Sequence, residues 1–293
     1  MKFNRTLIIG VSFVGFSLFL ALLSLIWTPF DPLEINPDVS LSRPSATHWF
    51  GTDENGRDIL SNIIVGSRAT LLTGVSAVAI CMIVGVSIGI ATAISPRWVE
   101  SPAVFGIDIV LALPTVLFAI VLAAVYGPST LTAIVAIGIA LSASVAQVTR
   151  REVNVVLLAD YVTAARSSGS GTWRIVRKHI LPNIRSSLFV QASGACAIAI
   201  LAESTLSYLG LGTTPPAPSW GRMMASLQQF LLIDPIYPLW PGLAIVVTVL
   251  GFNLLGDGLR EALDPTLRAA EEASTTDGLR TTATSQTKQE GSR

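Results

Sequence analysis

Few residues of this 293-residue chain have the types and spacing that catalysis or metal binding requires. It contains no GxxxxGK(S/T) phosphate loop, no GxSxG nucleophile turn and no HExxH zinc pair. His48 has no second histidine or cysteine nearby, so an interfacial side chain is a better interpretation than a metal ligand. Cys81 and Cys196 lie within apolar runs, which disfavours a disulfide, a zinc site or a redox pair. We therefore expect a protein that is not an enzyme and that binds no metal or cofactor itself.

Two ionisable residues, Asp108 and Glu203, lie close to the apolar stretches that could cross a membrane. Both are near predicted helix ends, where a charge costs least. An ion-coupled carrier usually binds its coupling ion with a charged group in the middle of a span, and this sequence has none there. An ion-coupled carrier or a channel acting alone is therefore the weaker interpretation. The roles of the two residues stay open.

The connection formed by residues 161–183 has the most informative spacing. A helix through Ala164 and Ala165 is expected to stop at Gly169 or Gly171, because glycine readily adopts the left-handed conformation found at helix ends. A second short helix is predicted directly after these glycines.

Thr172 can cap the first turn of this second helix, which runs to about Ile180 and is closed by Pro182 after Leu181. A two-turn helix is not stable in water by itself, so it must dock on something. Anionic lipid is one candidate surface and a partner protein is the other. The helix interleaves apolar and basic side chains, namely Trp173, Arg174, Ile175, Val176, Arg177 and Lys178.

The elements that position these residues are membrane spans. Apolar residues make up 51% of the chain and charged residues 13%, with a mean hydropathy of +0.62. Ordinary soluble domains contain roughly a quarter charged residues. Nineteen basic residues balance nineteen acidic ones, which gives no sign of nucleic-acid binding. The composition excludes a soluble globular protein and predicts an all-α, polytopic membrane protein.

Six stretches have the roughly 20 apolar residues that a membrane-crossing helix requires. They are residues 7–27, 70–94, 104–126, 131–149, 186–209 and 239–258. Six crossings place both termini on one side of the membrane. Fifteen Lys and Arg residues fall on that side and four on the other, so the positive-inside rule places both termini and the connection 150–185 in the cytoplasm.

The first outer connection, residues 28–69, is expected to contain an amphipathic helix lying in the membrane interface. Thr52 can cap its start. Its apolar stripe consists of Ile59, Leu60, Ile63 and Ile64.

Small residues suggest close contacts elsewhere. Gly85 and Gly89 form a GxxxG pattern, which serves either packing within one bundle or a mobile contact along a substrate path. The outer segment 210–221 is rich in Gly and Pro and is therefore expected to be ordered. It either plugs the outer mouth of the bundle or receives a partner protein.

The connection 161–183 resembles the EAA loop of ABC importer permeases, in which Ala-Ala-x3-Gly is followed, after ten intervening residues, by Ile-Leu-Pro. The matching positions are Ala164, Ala165, Gly169, Ile180, Leu181 and Pro182. Thr163 stands where the family usually has Glu, and His179 where it has an apolar residue. The resemblance implies that this loop forms a coupling helix that inserts into a groove of an ATPase subunit. The other coupling residues would be Thr172, Trp173, Arg174 and Arg177.

Three further stretches, residues 48–58, 203–221 and 241–265, are similar to signatures of the C-type subunits of dipeptide, oligopeptide and nickel permeases. With the loop, they extend the resemblance over residues 47–268. It implies the type I ABC importer permease architecture, and a subunit that moves di- or oligopeptides across the cytoplasmic (inner) membrane by alternating access. Nickel or another small solute is the alternative cargo, and no residue indicates the substrate path.

The resemblance also implies partners for this chain. These are a homologous permease subunit, two cytoplasmic ATPases that bind the ATP and Mg, an extracytoplasmic substrate-binding protein and membrane lipid. The predicted organisation is a cytoplasmic N-terminus (1–6), a first membrane helix (7–27), an outer loop (28–69), a permease domain (70–268) with the coupling loop (150–185), and a disordered cytoplasmic tail (269–293).

Overall fold

The computed structural model describes residues 5–263, and this range is helical apart from loops and one isolated β-bridge between Thr52 and Asp58. The predicted tail, 269–293, lies outside the described residues. The α-helices are α1 (Arg5–Leu23), α2 (Ile59–Ile94), α3 (Arg97–Ala112), α4 (Thr115–Tyr126), α5 (Thr130–Leu157), α6 (Asp160–Ser167), α7 (Thr172–Ile175), α8 (Leu181–Tyr208), α9 (Trp220–Leu227) and α10 (Ile236–Leu263). Short 3₁₀ turns occupy Pro37–Val39 and Gln228–Phe230, and a π-helical turn, Val176–Ile180, joins α7 to α8.

Five helical segments within residues 5–263 are long and apolar enough to cross a membrane. They are α1, α2, α5, the continuous α7–α8 segment and α10. Counting the bent pair of α3 and α4 as one span raises the number to six. The predicted all-α, polytopic architecture is therefore confirmed.

The third predicted span, 104–126, is not a straight helix. The chain bends by 90° between α3 and α4. Leu113 adopts an extended conformation and Pro114 occupies the N-cap position of α4. A residue that precedes proline is disfavoured in the helical region, so the Leu113-Pro114 step breaks the helix.

The prediction of a separate interfacial helix in the first outer connection is wrong. Residues 59–64 form the first turns of α2, and the cap is the side chain of Asp58, which accepts a hydrogen bond from the Ser61 amide at 2.8 Å. Ile59 and Ile63 are buried in a cluster with Trp220. The apolar stripe is therefore explained by packing against protein instead of lipid.

The central contact of the bundle is between α2 and α5, and it depends on the predicted GxxxG pattern. A Cβ on Gly85 would lie 2.6 Å from the Ser142 carbonyl oxygen, and one on Gly89 would lie 2.6 Å from that of Ala146. Only glycine permits the two backbones to approach so closely. Packing within one bundle thus accounts for the pattern, and α2 and α5 form a closely packed pair.

Candidate functional site

The predicted coupling loop lies at the end of the bundle that we expect to face the cytoplasm and call the inner end, and its first helix ends at glycine as expected. Gly169 has a φ of +82°, in the left-handed region. Its amide donates to the Arg166 carbonyl at 2.9 Å, and the Ser170 amide donates to the Ala165 carbonyl at 3.0 Å. These two bonds form a Schellman motif, which satisfies the last carbonyls of α6. A Cβ at Gly169 would meet no atom within 4 Å, so backbone conformation is the reason for glycine here.

The predicted capping role of Thr172 is wrong. Gly171 occupies the N-cap position and Thr172 is the first residue of α7, without a side-chain capping bond. The Arg174 amide donates to the Gly171 carbonyl at 3.0 Å. The backbone of Gly171 thus begins the helix, and the Thr172 side chain is exposed.

The prediction that Pro182 closes a short helix is also wrong. The helical chain continues from α7 through the π turn into α8, with Pro182 in the first turn of α8. Proline lacks the amide hydrogen that an interior helical residue donates, and the wider π turn changes the bonding pattern just before it. There the Leu181 amide donates to the Val176 carbonyl, five residues back. The coupling segment is therefore the inner end of a span.

The loop is held by its own apolar side chains. A buried cluster joins them to the inner ends of the neighbouring helices, and its members are Val153, Val162, Ile175, Val176, Ile180 and Ile184. Ile180 is 0% exposed, as is Val162. The required docking surface for the second helix is thus supplied by α5, α6 and α8 of the same chain.

A different set of side chains on the same loop faces outward. Trp173 is 75% exposed. Arg174, Arg177 and Lys178 are exposed around it. We call these four residues the coupling face. Of the ten predicted coupling residues, Ile180 is buried and Ala165 and Leu181 are half-buried, whereas the other seven are exposed.

Sequence reasoning missed the polar contact that fixes α6 against α8. Asn183 donates through Nδ2 to the Tyr161 hydroxyl at 2.7 Å and to the His179 carbonyl at 2.8 Å. The rings of Tyr161 and His179 lie 5.8 Å apart. His179, which departs from the family pattern, therefore belongs to this contact. A Tyr and an Asn separated by 22 positions carry no local signal that they will meet.

At the outer end, His48 is paired and does not lie free in an interface. Its Nδ1 is 3.0 Å from Asp58 Oδ1, and Asp58 Oδ2 accepts from the hydroxyl of Ser61 at 2.7 Å. The Phe30 ring lies 4.5 Å from the imidazole. These contacts attach the first outer connection to the start of α2.

The Gly- and Pro-rich outer segment and α9 are also attached to the bundle. Trp220 is 1% exposed and donates through Nε1 to the Ile63 carbonyl at 2.9 Å. A Cβ on Gly221 would lie 2.1 Å from the Ser204 carbonyl oxygen, so α9 packs directly on α8. These contacts attach the end of the segment to α2 and α8.

Partial burial shifts the pKa values of two charged side chains at this end of the bundle. The pKa of Asp53 is raised by desolvation, although hydrogen bonds from the amides of Arg57 and Asn55 oppose the shift. The pKa of Arg222 is lowered by desolvation and by the nearby charge of Arg57.

The two ionisable residues near the spans differ sharply. Asp108 is exposed, whereas Glu203 is 0% exposed. The expectation that both lie near helix ends, where a charge costs little free energy, is therefore wrong for Glu203. Glu203 lies on the side of α8 covered by the outer segment, with Ser207 and Thr213 as hydrogen-bond donors. No three His, Cys, Asp or Glu side chains in the described part of the chain converge as a metal-binding group.

A bundle of five or six apolar spans defines an integral, multi-span membrane protein. The family described as "Binding-protein-dependent transport system inner membrane component" matches residues 85–269. This chain belongs to that family.

Curated relatives match over most of their length. The dipeptide transport system permease protein DppC of Alkalihalophilus pseudofirmus is 37% identical, with 92% of this chain and 88% of the relative covered. The di/tripeptide transport system permease protein DppC of Pseudomonas aeruginosa is 40% identical, covering 91% of this chain and 90% of the relative. The probable D,D-dipeptide permease of Escherichia coli is 38% identical, with 84% of each chain covered. These matches confirm the resemblance to the C-type permeases of the peptide and nickel systems.

The fold has a solved counterpart in an inward-facing structure of the MetNI methionine ABC transporter. The TM-score is 0.57 at 15% identity, over 69% of this chain and 96% of the matched chain. This match confirms the predicted type I importer permease architecture.

Proposed function

We propose that this chain is the permease subunit of an ATP-driven importer that moves di- or oligopeptides across the inner membrane. The three relatives above are named for dipeptides, di/tripeptides and D,D-dipeptides, which favours peptide over nickel as the cargo. Alternating access of the bundle would carry the peptide inward. ATP and Mg would bind to separate ATPase subunits.

The proposal depends mainly on the coupling face, which is exposed although the loop that presents it is anchored by a buried cluster. The cluster containing Ile180 fixes the loop to the bundle, while Trp173 and three basic side chains stay outside it. Exposed Trp and Arg side chains are the types most often found at protein-binding hot spots. An ATPase groove with apolar walls and acidic edges would complement it.

The remaining partners and the orientation follow from the same assignment. A homologous permease would complete the translocation path, an extracytoplasmic binding protein would deliver the peptide, and lipid would cover the exposed apolar side chains of the spans. Both termini and the coupling face would lie in the cytoplasm, where the basic residues are concentrated.

Two experiments test the proposal. Proteoliposomes containing this chain and its co-expressed partners should accumulate a radiolabelled dipeptide only with ATP and the binding protein, and nickel in place of the peptide should not accumulate. In intact cells, an impermeant thiol reagent should label A46C in the outer connection and not S167C in the coupling loop. Uptake without an ATPase, or outside labelling of S167C, contradicts the assignment.

A further inference from the structure

The break between α3 and α4 lies beside the middle of α5, a helix long and apolar enough to cross a membrane. Before the break, Ile107 of α3 packs in a buried cluster with Ala143 of α5. After the break, Ala119 of α4 shares a buried cluster with Ile137 of α5. The break is therefore level with the part of α5 between these two contacts, well inside the apolar layer.

The break leaves backbone groups without hydrogen-bond partners. Three carbonyls at the end of α3 accept no hydrogen bond from residues 5–263, and they belong to Leu111, Ala112 and Leu113. The first three amides of α4, residues 115–117, find no acceptor in the same range, and no side chain caps this helix. Lipid cannot supply these bonds, so broken helices occur in membranes only where protein covers them or where they line a water-filled cavity.

The described part of the chain does not cover the break. Leu113 is 44% exposed, and Pro114 beside it is exposed as well. The partners of the free carbonyls and amides must therefore come from outside residues 5–263, either as water or as a second chain.

Asp108, one turn before the break, favours water. Its side chain is exposed and forms no hydrogen bond or ion pair within residues 5–263. The cluster of the adjacent Ile107 lies four to seven residues along α5 from Arg150, or about 6–10 Å from the level of the Arg150–Glu100 pair at the inner end. Aspartate is shorter than the Lys and Arg side chains that reach headgroups from inside a span. Ionisable groups at such positions usually face a water-filled cavity or the bundle interior.

The charge around the break selects the kind of group that would bind there. Asp108 provides a full negative charge, and the free carbonyls that follow it add the partial negative charge of a helix C-terminus. An ammonium group offers one positive charge and three N–H donors, which suits a carboxylate with further acceptors nearby. The amino terminus of a peptide is such a group and is largely protonated at neutral pH.

We propose that Asp108 and the α3–α4 break line the water-filled path of the importer, and that the Asp108 carboxylate binds the ammonium group at the amino end of the peptide. This inference rests on the proposed function, which supplies the path and the cargo. It gives this subunit a part in selecting the cargo, because a peptide with a blocked amino end would lack the group that Asp108 attracts.

Peptide binding to the purified transporter complex in nanodiscs, without the binding protein, tests the role of the Asp108 charge. The probes are radiolabelled dialanine and its N-acetylated form, which lacks the ammonium group. D108N should bind dialanine about tenfold more weakly than the wild type, because it loses a hydrogen bond between charged groups. D108E keeps the charge and should bind dialanine nearly as well as the wild type. The wild type should bind the acetylated probe more weakly than dialanine, whereas D108N should bind the two equally.

D38N is the matched control, because Asp38 is an exposed carboxylate in the outer connection. It should bind both probes as the wild type does. Unchanged dialanine binding in D108N overturns the inference, and so does a wild type that binds both probes equally or binds neither. Failure of the proposed function has a different result, namely no ATP-driven uptake of dialanine by wild-type proteoliposomes.

Thiol labelling of the complex in nanodiscs tests whether water reaches the break. D108C should react with a membrane-impermeant, cationic thiosulfonate reagent, which requires a hydrated thiol. V11C is the matched control, because Val11 is 53% exposed on the unbroken helix α1, six residues from Arg5. It should not react beyond the background that Cys81 and Cys196 give in the wild type. A D108C variant that reacts no more than V11C shows that protein or lipid covers the position, and this result overturns the inference.

Discussion

Replacing Trp173 by alanine should weaken ATPase binding without unfolding the loop. The side chain is 75% exposed, so its loss removes little packing within the chain. The exposed indole offers roughly 150 Å² to a partner, which corresponds to about 4 kcal/mol at ~25 cal/mol/Å² before the costs of association. Aromatic hot spots commonly cost about 2 kcal/mol on truncation. We therefore expect W173A to reduce ATPase affinity about 30-fold.

The matched control for this variant is I180A in the buried anchor. Ile180 is 0% exposed, and truncation of such a side chain to alanine costs about 2–5 kcal/mol of stability. I180A should therefore lower the unfolding midpoint, whereas W173A should keep it within about 1 °C, as expected for an exposed site. Affinity is measured by titrating purified ATPase onto the permease in nanodiscs, and stability by thermal unfolding of the same samples. The reasoning is refuted if W173A binds the ATPase with wild-type affinity, or if it destabilises the chain as much as I180A does.

Three further predictions concern individual positions. At Gly169, G169N should retain ATP-coupled uptake and G169V should lose most of it. The reason is that Asn tolerates a φ of +82°, whereas a β-branched residue does not. Equal uptake by the two variants would contradict this explanation. G89L should lower the unfolding midpoint by several degrees, since a Cβ at this position would lie 2.6 Å from the Ala146 carbonyl oxygen. G106A should change the unfolding midpoint little, because no atom lies within 4 Å of the added Cβ. The raised pKa of Asp53 means that the folded state binds more protons than the unfolded state, so stability should fall as pH rises from about 4 through that raised pKa. D53N should flatten this pH dependence in thermal unfolding, and an unchanged slope would exclude Asp53 as its source.

The sequence alone was sufficient to predict the apolar spans and the glycine at which α6 ends. Apolar runs of span length have few folded alternatives, because lipid provides no partners for backbone groups. Gly169 was equally informative, since a glycine after a helical run marks a left-handed helix end. Both signals are local, and local signals can be read without knowledge of the tertiary structure.

The errors arose where tertiary contacts override a local pattern. The stripe beginning at Ile59 has the periodicity of an interfacial helix, and only the position of Trp220 against Ile63 turns it into a buried surface. Pro182 usually ends a helix, and the π turn before it allows the chain to continue. The burial of Glu203 depends on Thr213, which lies beyond the end of α8, and nothing in the intervening spacing predicts that the segment folds back.

The continuity of α7 and α8 has a mechanical consequence. The helical segment Thr172–Tyr208 contains 37 residues and is about 55 Å long at ~1.5 Å per residue. Trp173 lies at its inner end and Glu203 near its outer end, where the side chain contacts Thr213. Because Tyr161 of α6 accepts a hydrogen bond from Asn183 of α8, and Val162 of α6 packs in the buried cluster, a force applied to Trp173 would act on α6 and α8 together. If the coupling face binds an ATPase as proposed, we expect its movement to be passed along this helical segment towards Glu203, with α2 and α5 as the closely packed pair beside it.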